Sequence, residues 1–339
     1  MRLGLLGAFL AGSMILPAAA ADGPPIYRES GDWSGYCLSS GVCAIQTETE
    51  QGQLVVFRAP AAEAPAFACY QPVSPDGTGT WLLAVEGATI MASAGLSSPQ
   101  VAWTDLLQTA PESPLAAYAR HLQGNGLTPC ANPLQLRSLE ASLLAQGRHA
   151  QLETGDRDTS ERLSLNGFKT LADWLDQRQR RAGTETAVSQ RGPAEPVDGP
   201  ASPVIVSTQA LPDDVRSAWS EPTLSCSEIE PEAFSQSDAV AVPLGDSATL
   251  YVLPCGQPGN NAPFVAVMND GAQAATLVEF GQPGDPSVAS TTVGRLSWDG
   301  LNRALVSVWS TGADCSEITV WPYADGAFGT GETLQSPGC

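Results

Sequence analysis

Lysine is almost absent from this chain: Lys169 is the single lysine among 16 basic residues, which face 36 acidic residues. The net charge is −20, and it becomes one unit more negative if the leader that carries Arg2 is removed. A chain with this balance has no polybasic patch to hold a phosphate backbone or anionic lipid headgroups. Nucleic acid and anionic membrane surfaces are therefore not expected as partners, and the acidic surface is expected to keep the protein soluble.

Histidine, the usual general base near neutral pH, occurs only twice. His121 falls in the last turn of a predicted helix, where a cation interacts favourably with the helix dipole, and His149 opens a predicted strand as a surface residue. The serine-hydrolase pattern G-x-S-x-G and both phosphate-binding glycine patterns are missing as well. No catalytic residue and no cofactor is therefore predicted.

Metal-binding patterns are also weak. The cysteines lack the paired C-x₂₋₄-C spacing of a zinc site. Asp156, Asp158 and Glu161 in GDRDTSE are oxygen ligands of the kind that Ca²⁺ prefers, but their spacing departs from an EF-hand loop. No metal site is predicted, and a calcium loop is the alternative to a solvated turn at this segment.

Long hydrophobic runs are confined to the N-terminus. MRLGLLGAFLAGSMILPAAAAD combines one positive charge, an apolar run, Pro17 and small residues, which is typical of a secretory signal peptide. Ala19 and Ala21 fit a cleavage before Asp22, so residues 1–21 are predicted to be the signal peptide. No later run approaches the roughly 20 apolar residues of a membrane-spanning helix. The mature chain is therefore expected to be periplasmic or secreted.

Eight cysteines are present, four on each side of a Pro/Gly-rich stretch. In an oxidising compartment an even number of cysteines indicates disulfides, although eight allow about 105 pairings. The short gap between Cys37 and Cys43 suits a bridge across a tight hairpin, and bridges confined to each half are the economical expectation. All eight are predicted to form disulfides: Cys37, Cys43, Cys69, Cys130, Cys226, Cys255, Cys315 and Cys339.

Two domains are expected from the length. The run GPAEPVDGPASP contains four prolines and two glycines without apolar periodicity, which predicts an extended linker. The predicted division is an N-terminal domain over 22–190, a linker over 191–204 and a C-terminal domain over 205–339.

Both domains are predicted to be β-rich and sandwich- or barrel-like, giving an α+β, mostly β, protein with about three helices in the first. Helices are predicted at 113–124, at 132–143 and from about Gly167 to Arg181, because apolar residues recur there at helical spacing. Short runs bounded by Gly, Pro or Ser predict the strands, among them one from Ala274 to Phe280. Late aromatic residues are expected in the sheet core rather than on a binding platform: Trp298, Trp309, Trp321 and Tyr323.

Four segments lie in order along nearly the whole mature chain: GDWSGYCLSSGVCAIQ, SLNGFKTLADWLDQRQRRAGTETAV, LYVLPCGQPGNN and STGADCSEITVWPYADGAFGTGETLQSPGC. They resemble the exported bacterial family called domain of unknown function 1176. Its most diagnostic pattern, D-x-x-Q-x-R-x-G-T, is filled here by Asp176, Gln179, Arg181, Gly183 and Thr184. The first domain is also similar to the invasion-associated locus B family, through an early W-x-x-x-C and a late S-L-x-G-F segment.

The resemblance implies a periplasmic or secreted protein with paired disulfides, and it supplies no catalytic residue. With the linker, the family pattern implies the pairs Cys37–Cys43, Cys69–Cys130, Cys226–Cys255 and Cys315–Cys339. Within the motif, Arg181 is expected to tie down carbonyl groups near a helix end and a carboxylate such as Asp176.

The sequence therefore predicts a non-catalytic binding or envelope-associated protein. Its expected partner is another envelope or host protein or a cell-wall component. The alternative is a cell-envelope enzyme, such as a glycan hydrolase that uses two carboxylates.

Overall fold

The computed structural model describes residues 25–50, 52–72, 81–85, 88–92, 110, 112–124, 148–154, 159–224, 226–245, 247–257, 261–282, 285–312 and 315–335. Antiparallel sheets dominate this part of the chain, with four α-helices among its residues. The predicted α+β, mostly β, class is confirmed. The predicted signal peptide and the predicted helix at 132–143 lie outside the described residues.

The first half opens with a five-stranded antiparallel meander, the N-terminal sheet, whose strands pair in chain order. Its strands are β1 (Tyr27–Ser30), β2 (Trp33–Cys37), β3 (Cys43–Glu48), β4 (Gly52–Arg58) and β5 (Ala66–Pro72). A second sheet has the order β7-β6-β8-β9, built from β6 (Trp81–Val85), β7 (Ala88–Ala92), β8 (His149–Thr154) and β9 (Thr159–Ser164).

Helices cover both faces of the N-terminal sheet. On one face lies α2 (Phe168–Arg178), where the Phe168 ring meets Trp33 edge-on with 4.9 Å between ring centroids. On the other lies α1 (Pro114–Gly124), where Tyr118 contacts Phe57 at 4.6 Å between centroids. Because both faces are covered, β4 is buried at nearly every position instead of alternating.

The second half is a sandwich with a helical layer. One sheet has the order β10-β11-β12-β13, from β10 (Val240–Pro243), β11 (Thr249–Pro254), β12 (Phe264–Asn269) and β13 (Thr276–Leu277). A small ribbon pairs β14 (Phe280–Gln282) with β15 (Asp285–Ser290). The last sheet contains β16 (Arg295–Asp299), β17 (Ala304–Gly312), β18 (Cys315–Ala324), β19 (Ala327–Phe328) and β20 (Glu332–Gln335).

The β10–β13 sheet is buried on both faces. Two helices lie on one face, α3 (Asp213–Trp219) and α4 (Pro231–Gln236), and their Trp219 and Phe234 rings pack edge-on at 5.7 Å. On the other face its apolar residues share a core with Leu296, Trp298 and Leu305 of β16 and β17. This architecture leaves the β16–β17 turn at one end of the sandwich.

The predicted helices at 113–124 and 167–181 are α1 and α2. The strand predicted from Ala274 to Phe280 is broken in the structure into β13 and the start of β14. Within the described residues no helix is both long and apolar enough to cross a membrane.

The stretch predicted as a linker, 191–204, has no helix or strand, but it lies against both halves. The amide of Gly199 donates to the Pro60 carbonyl at 2.8 Å, and that of Ser202 donates to Ser39 at 3.2 Å. Its end adds to the edge of β10 through a bridge between Val204 and Val240. The boundaries of the two domains stay a prediction, whereas the stretch between them is packed rather than free.

Candidate functional site

The D-x-x-Q-x-R-x-G-T motif begins in the last turns of α2 and builds a buried polar cluster. Asp176, 1% exposed, accepts a hydrogen bond from the Arg58 guanidinium at 2.9 Å and from the amides of Val188 and Ser189, both at 2.9 Å. Burial lowers the pKa of Arg58 to about 10, and the neighbouring Asp176 carboxylate opposes that shift. The pair ties α2 to the end of β4.

The side-chain amide of Gln179 makes three further hydrogen bonds in this cluster. Its side-chain carbonyl accepts from Arg58 Nε at 2.7 Å, while its Nε2 donates to the backbone carbonyls of Gly41 at 2.9 Å and Arg58 at 2.8 Å. The amide therefore connects the helix end to the β2–β3 turn. Without Gln179 each of these buried groups would lose a hydrogen bond.

Arg181 ties down backbone carbonyls, as the motif suggested. Its guanidinium donates to Pro60 at 3.0 Å and also to Ala61 and Ala62, while the Thr184 hydroxyl donates to the Arg181 carbonyl at 2.7 Å. The guanidinium that pairs with the Asp176 carboxylate belongs to Arg58 rather than to Arg181. Gly183 adopts φ +79° in the turn that follows. The motif is thus a clamp around the helix end.

The helix end itself is a Schellman motif. The Arg181 amide donates to the Asp176 carbonyl at 2.6 Å and the Arg180 amide to Gln177 at 3.2 Å, with Arg180 at φ +57°. Glycine usually occupies this left-handed position, because a side chain disfavours it. The clamp fixes Asp176, Gln179 and Arg181, and the residues between them, Arg178 and Arg180, line a cavity.

Arg178 spans the two halves of the chain. Its Nη1 and Nη2 donate to Asp299 Oδ2 and Oδ1 at 3.1 and 2.9 Å, and the two side chains are 4% and 2% exposed. Asp299 ends β16 and also accepts from the amides of Leu301 and Asn302 in the following turn. The same turn carries Arg303, at φ +50°, on the wall of the cavity.

The β2–β3 turn meets the second half through Ser39 and Asp238. The Asp238 carboxylate accepts from the amides of Ser39 at 2.5 Å and Ser40 at 3.3 Å. The Ser39 hydroxyl accepts from the Trp298 amide at 2.9 Å. Burial raises the pKa of Asp238, although these hydrogen bonds and the nearby Arg295 oppose the shift.

These contacts enclose a cavity of about 250 Å³ at the junction of the halves. The Cys37–Cys43 bridge and the β2–β3 turn form one part of the lining, the linker residues Pro200 and Ala201 a second, and Trp298 of β16 a third. Gly41, at φ +86°, packs so closely on the linker that a Cβ would lie 2.2 Å from the Pro200 carbonyl oxygen. Three arginines and no acidic residue are among the described residues that line it: Arg178, Arg180 and Arg303.

Comparison with known families supports the resemblance that the motif suggested. The family described as Protein of unknown function (DUF1176) matches residues 27–339, which is most of the chain. The chain belongs to the DUF1176 family. No curated protein and no solved structure matches it. The similarity of the first half to the invasion-associated locus B family stays a prediction.

In this DUF1176 chain the structure joins Cys37 to Cys43 and Cys226 to Cys255, two of the four expected pairs. Cys69, in β5, is also disulfide-bonded. Cys130 and Cys339 lie outside the described residues, and Cys315 opens β18.

Of the remaining candidate residues in the described part of the chain, Trp298 alone lines the cavity. His149 is exposed at the start of β8, His121 falls in the last turn of α1, and Glu161 lies in β9. Asp156 and Asp158, from the suggested calcium loop, lie outside the described residues. Trp298 and Trp321 are buried as expected, but Trp309 is 46% exposed.

Sequence reasoning missed the cavity arginines because Arg178 and Arg180 occupy unspecified positions of the DUF1176 motif. Three arginines within the four-residue run RQRR, in a chain this acidic, were the available signal. The sequence carried no such signal for Arg303 and Asp299, because they approach the motif only after more than 100 intervening residues have folded.

Proposed function

We propose that this protein is an exported, non-catalytic binding protein that holds part of an envelope or host protein, or a cell-wall component, in the cavity between its halves. The N-terminal signal pattern and the disulfides support export, because disulfides persist in oxidising compartments. The proposed location is the periplasm or the exterior of the cell.

The observation that carries the binding role is the cavity itself. Ligand sites favour interfaces between domains and combine apolar walls with a few convergent polar groups. Here Trp298, Pro200 and the Cys37–Cys43 bridge supply apolar surface, and arginines supply the polar groups. Because both halves contribute, a bound ligand contacts both at once.

The alternative of a glycan hydrolase has less support. Such an enzyme needs two carboxyl groups about 5 to 10 Å apart across the scissile bond. Among the described residues that line the cavity none is acidic. Asp299 and Asp238, which are buried nearby, are occupied by Arg178 and by backbone amides. The site is better suited to holding a ligand than to proton transfer.

Binding is tested by filling the cavity. Ala201 lines the cavity and is exposed, so Ala201→Trp should block ligand entry with little effect on folding. The matched control is Ser217→Trp, on the exposed surface of α3. The mature protein is incubated with purified cell-wall sacculi and, separately, with soluble envelope proteins. We expect co-sedimentation or capture by wild type and the control, and at least a tenfold loss for Ala201→Trp.

Equal retention by both variants, or no retention by wild type in either fraction, would contradict the proposal. Export is checked separately by the intact mass of protein recovered from the periplasmic fraction or the medium. A chain that starts at Asp22 is expected, whereas an uncleaved N-terminus would exclude the predicted signal peptide.

A further inference from the structure

The charge of the cavity is opposite to that of the protein. The chain carries a net charge of −20, yet three arginines and no carboxylate are among the described residues on the cavity wall. Arg178 is neutralised by its bidentate pair with Asp299. Within the described ranges no carboxylate pairs with Arg180 or Arg303, so these two arginines give the site two positive charges.

Arg180 lines the cavity and has no anionic partner in the described part of the chain. Its side chain is exposed, and among the described residues it makes no hydrogen bond or ion pair. Arg303 rests on the wall, with its guanidinium carbon 5.6 Å from the centre of the Tyr323 ring and one nitrogen 3.4 Å from the Leu244 carbonyl. A guanidinium has five N–H donors, so Arg303 retains donors for a ligand.

The backbone at both arginines adopts a conformation that side chains disfavour. Three non-glycine residues in the described part of the chain have positive φ, and two of them are Arg180 and Arg303. The third, Asp325, precedes Gly326 in the two-residue turn between β18 and β19, where Asp-Gly is a favoured pair. Arginine has no such preference, and strained backbone is concentrated at functional sites.

We infer that the cavity binds a small doubly charged oxyanion group, a phosphate or a pair of carboxylates, through Arg180 and Arg303. Guanidinium groups bind such oxygens through paired N–H donors, and partial enclosure strengthens the interaction. A volume of about 250 Å³ accepts the anionic end of a larger ligand or a small free dianion. This inference rests on the proposed binding function and specifies its ligand chemistry.

Isothermal titration calorimetry of the mature protein with inorganic phosphate, succinate and neutral methyl glucoside tests it. Wild type is expected to bind phosphate or succinate and not the sugar. Arg180→Gly and Arg303→Gly should each weaken binding at least tenfold while the unfolding midpoint is unchanged or raised, because glycine relieves the left-handed conformation. Arg180→Asn, which also tolerates that conformation, provides a second variant.

Two control variants test whether the cavity arginines themselves cause the loss of binding. Asp325→Gly relieves the same backbone conformation outside the cavity, and Arg148→Ala removes an exposed arginine just before β8. Neither should change anion affinity. Binding of phosphate alone identifies a phosphate-type ligand, and binding of succinate identifies a carboxylate-type ligand.

Anion binding that survives Arg180→Gly and Arg303→Gly, or no binding of either anion, would overturn the inference. If the envelope ligand is lost in Ala201→Trp but retained in both arginine variants, the anion inference fails while the proposed binding function stands.

Discussion

Arg178 and Asp299, 121 residues apart in sequence, join the last turn of α2 to the end of β16 through two hydrogen bonds of 3.1 and 2.9 Å. Both side chains are almost fully buried. The pair connects the motif of the first half to the β16–β17 turn of the second, and both ends border the proposed site. It therefore couples the stability of the junction to the geometry of the cavity.

Substituting Asp299 by Asn should destabilise the fold by about 3 to 5 kcal/mol, because it leaves the Arg178 charge buried without a counter-charge. The amide oxygen of Asn still accepts from the turn amides of Leu301 and Asn302, so the loss reports mainly the ion pair. Urea unfolding of Asp299→Asn, Arg178→Met and the double variant measures the loss of unfolding free energy in each. The double variant should lose less than the sum of the single losses, and simple additivity would contradict a direct coupling.

Gln179→Ala should cost about 2 to 3 kcal/mol, since it removes the partner of buried polar groups on Arg58 and Gly41. The matched control is Gln177→Ala, an exposed position on the same helix, for which a change within about 0.5 kcal/mol is expected. Denaturant midpoints of the two variants give the comparison. Equal effects at both positions would mean that the motif glutamine has no special role in the clamp.

Local patterns predicted much of this fold, because periodic apolar residues determine which segments are buried. The helices at 114–124 and 168–178 and most central strands follow from spacing alone. The short helices α3 and α4 were missed, since seven and six residues are too few to show a helical period. The packing of the linker was also missed, because proline and glycine content does not reveal that Gly199 bonds to Pro60.

The candidate site was the least predictable part of the molecule. Its motif residues were identified from the family pattern, but the arginines between them acquire a role only when folding pairs Arg178 with Asp299 and brings Trp298 to the same cavity. Composition even argued against a cationic site, because a sum over the chain hides two or three charges gathered in one cavity.

The two observed disulfides should differ in their contribution to stability. Cys226 and Cys255 are 29 residues apart and Cys37 and Cys43 only 6, so the first bridge removes more conformational freedom from the unfolded chain. Replacing Cys226 and Cys255 by alanine should lower the free energy of unfolding by about 3.6 kcal/mol, and replacing Cys37 and Cys43 should lower it by about 2.4 kcal/mol. Urea unfolding at constant pH compares them. A larger loss for the 37–43 pair would show that its packing at the cavity outweighs the loop-length effect.

Asp238 should make the junction less stable as the pH rises. Its pKa is raised in the folded protein, mainly by burial, so the folded state binds this proton at a pH where the unfolded chain has already released it. The folded state then holds more protons between the ordinary Asp value near 4 and the raised value. The free energy of unfolding contributed by Asp238 therefore falls as pH increases through this window, by up to about 1.4 kcal/mol per pH unit.

Asp238→Asn isolates this effect, because asparagine cannot ionise yet still offers an oxygen to the Ser39 amide. As the pH rises above the ordinary Asp value near 4, the wild type should lose unfolding free energy relative to the variant, and this loss should stop once the pH has passed the raised pKa of Asp238. Arg295 is the charged group that acts on Asp238, and its positive charge opposes the rise of the Asp238 pKa. A difference that is constant with pH would show that the pKa of Asp238 is not raised. A difference that moves toward wild type would mean that the amides of Ser39 and Ser40 stabilise the carboxylate more than burial penalises it.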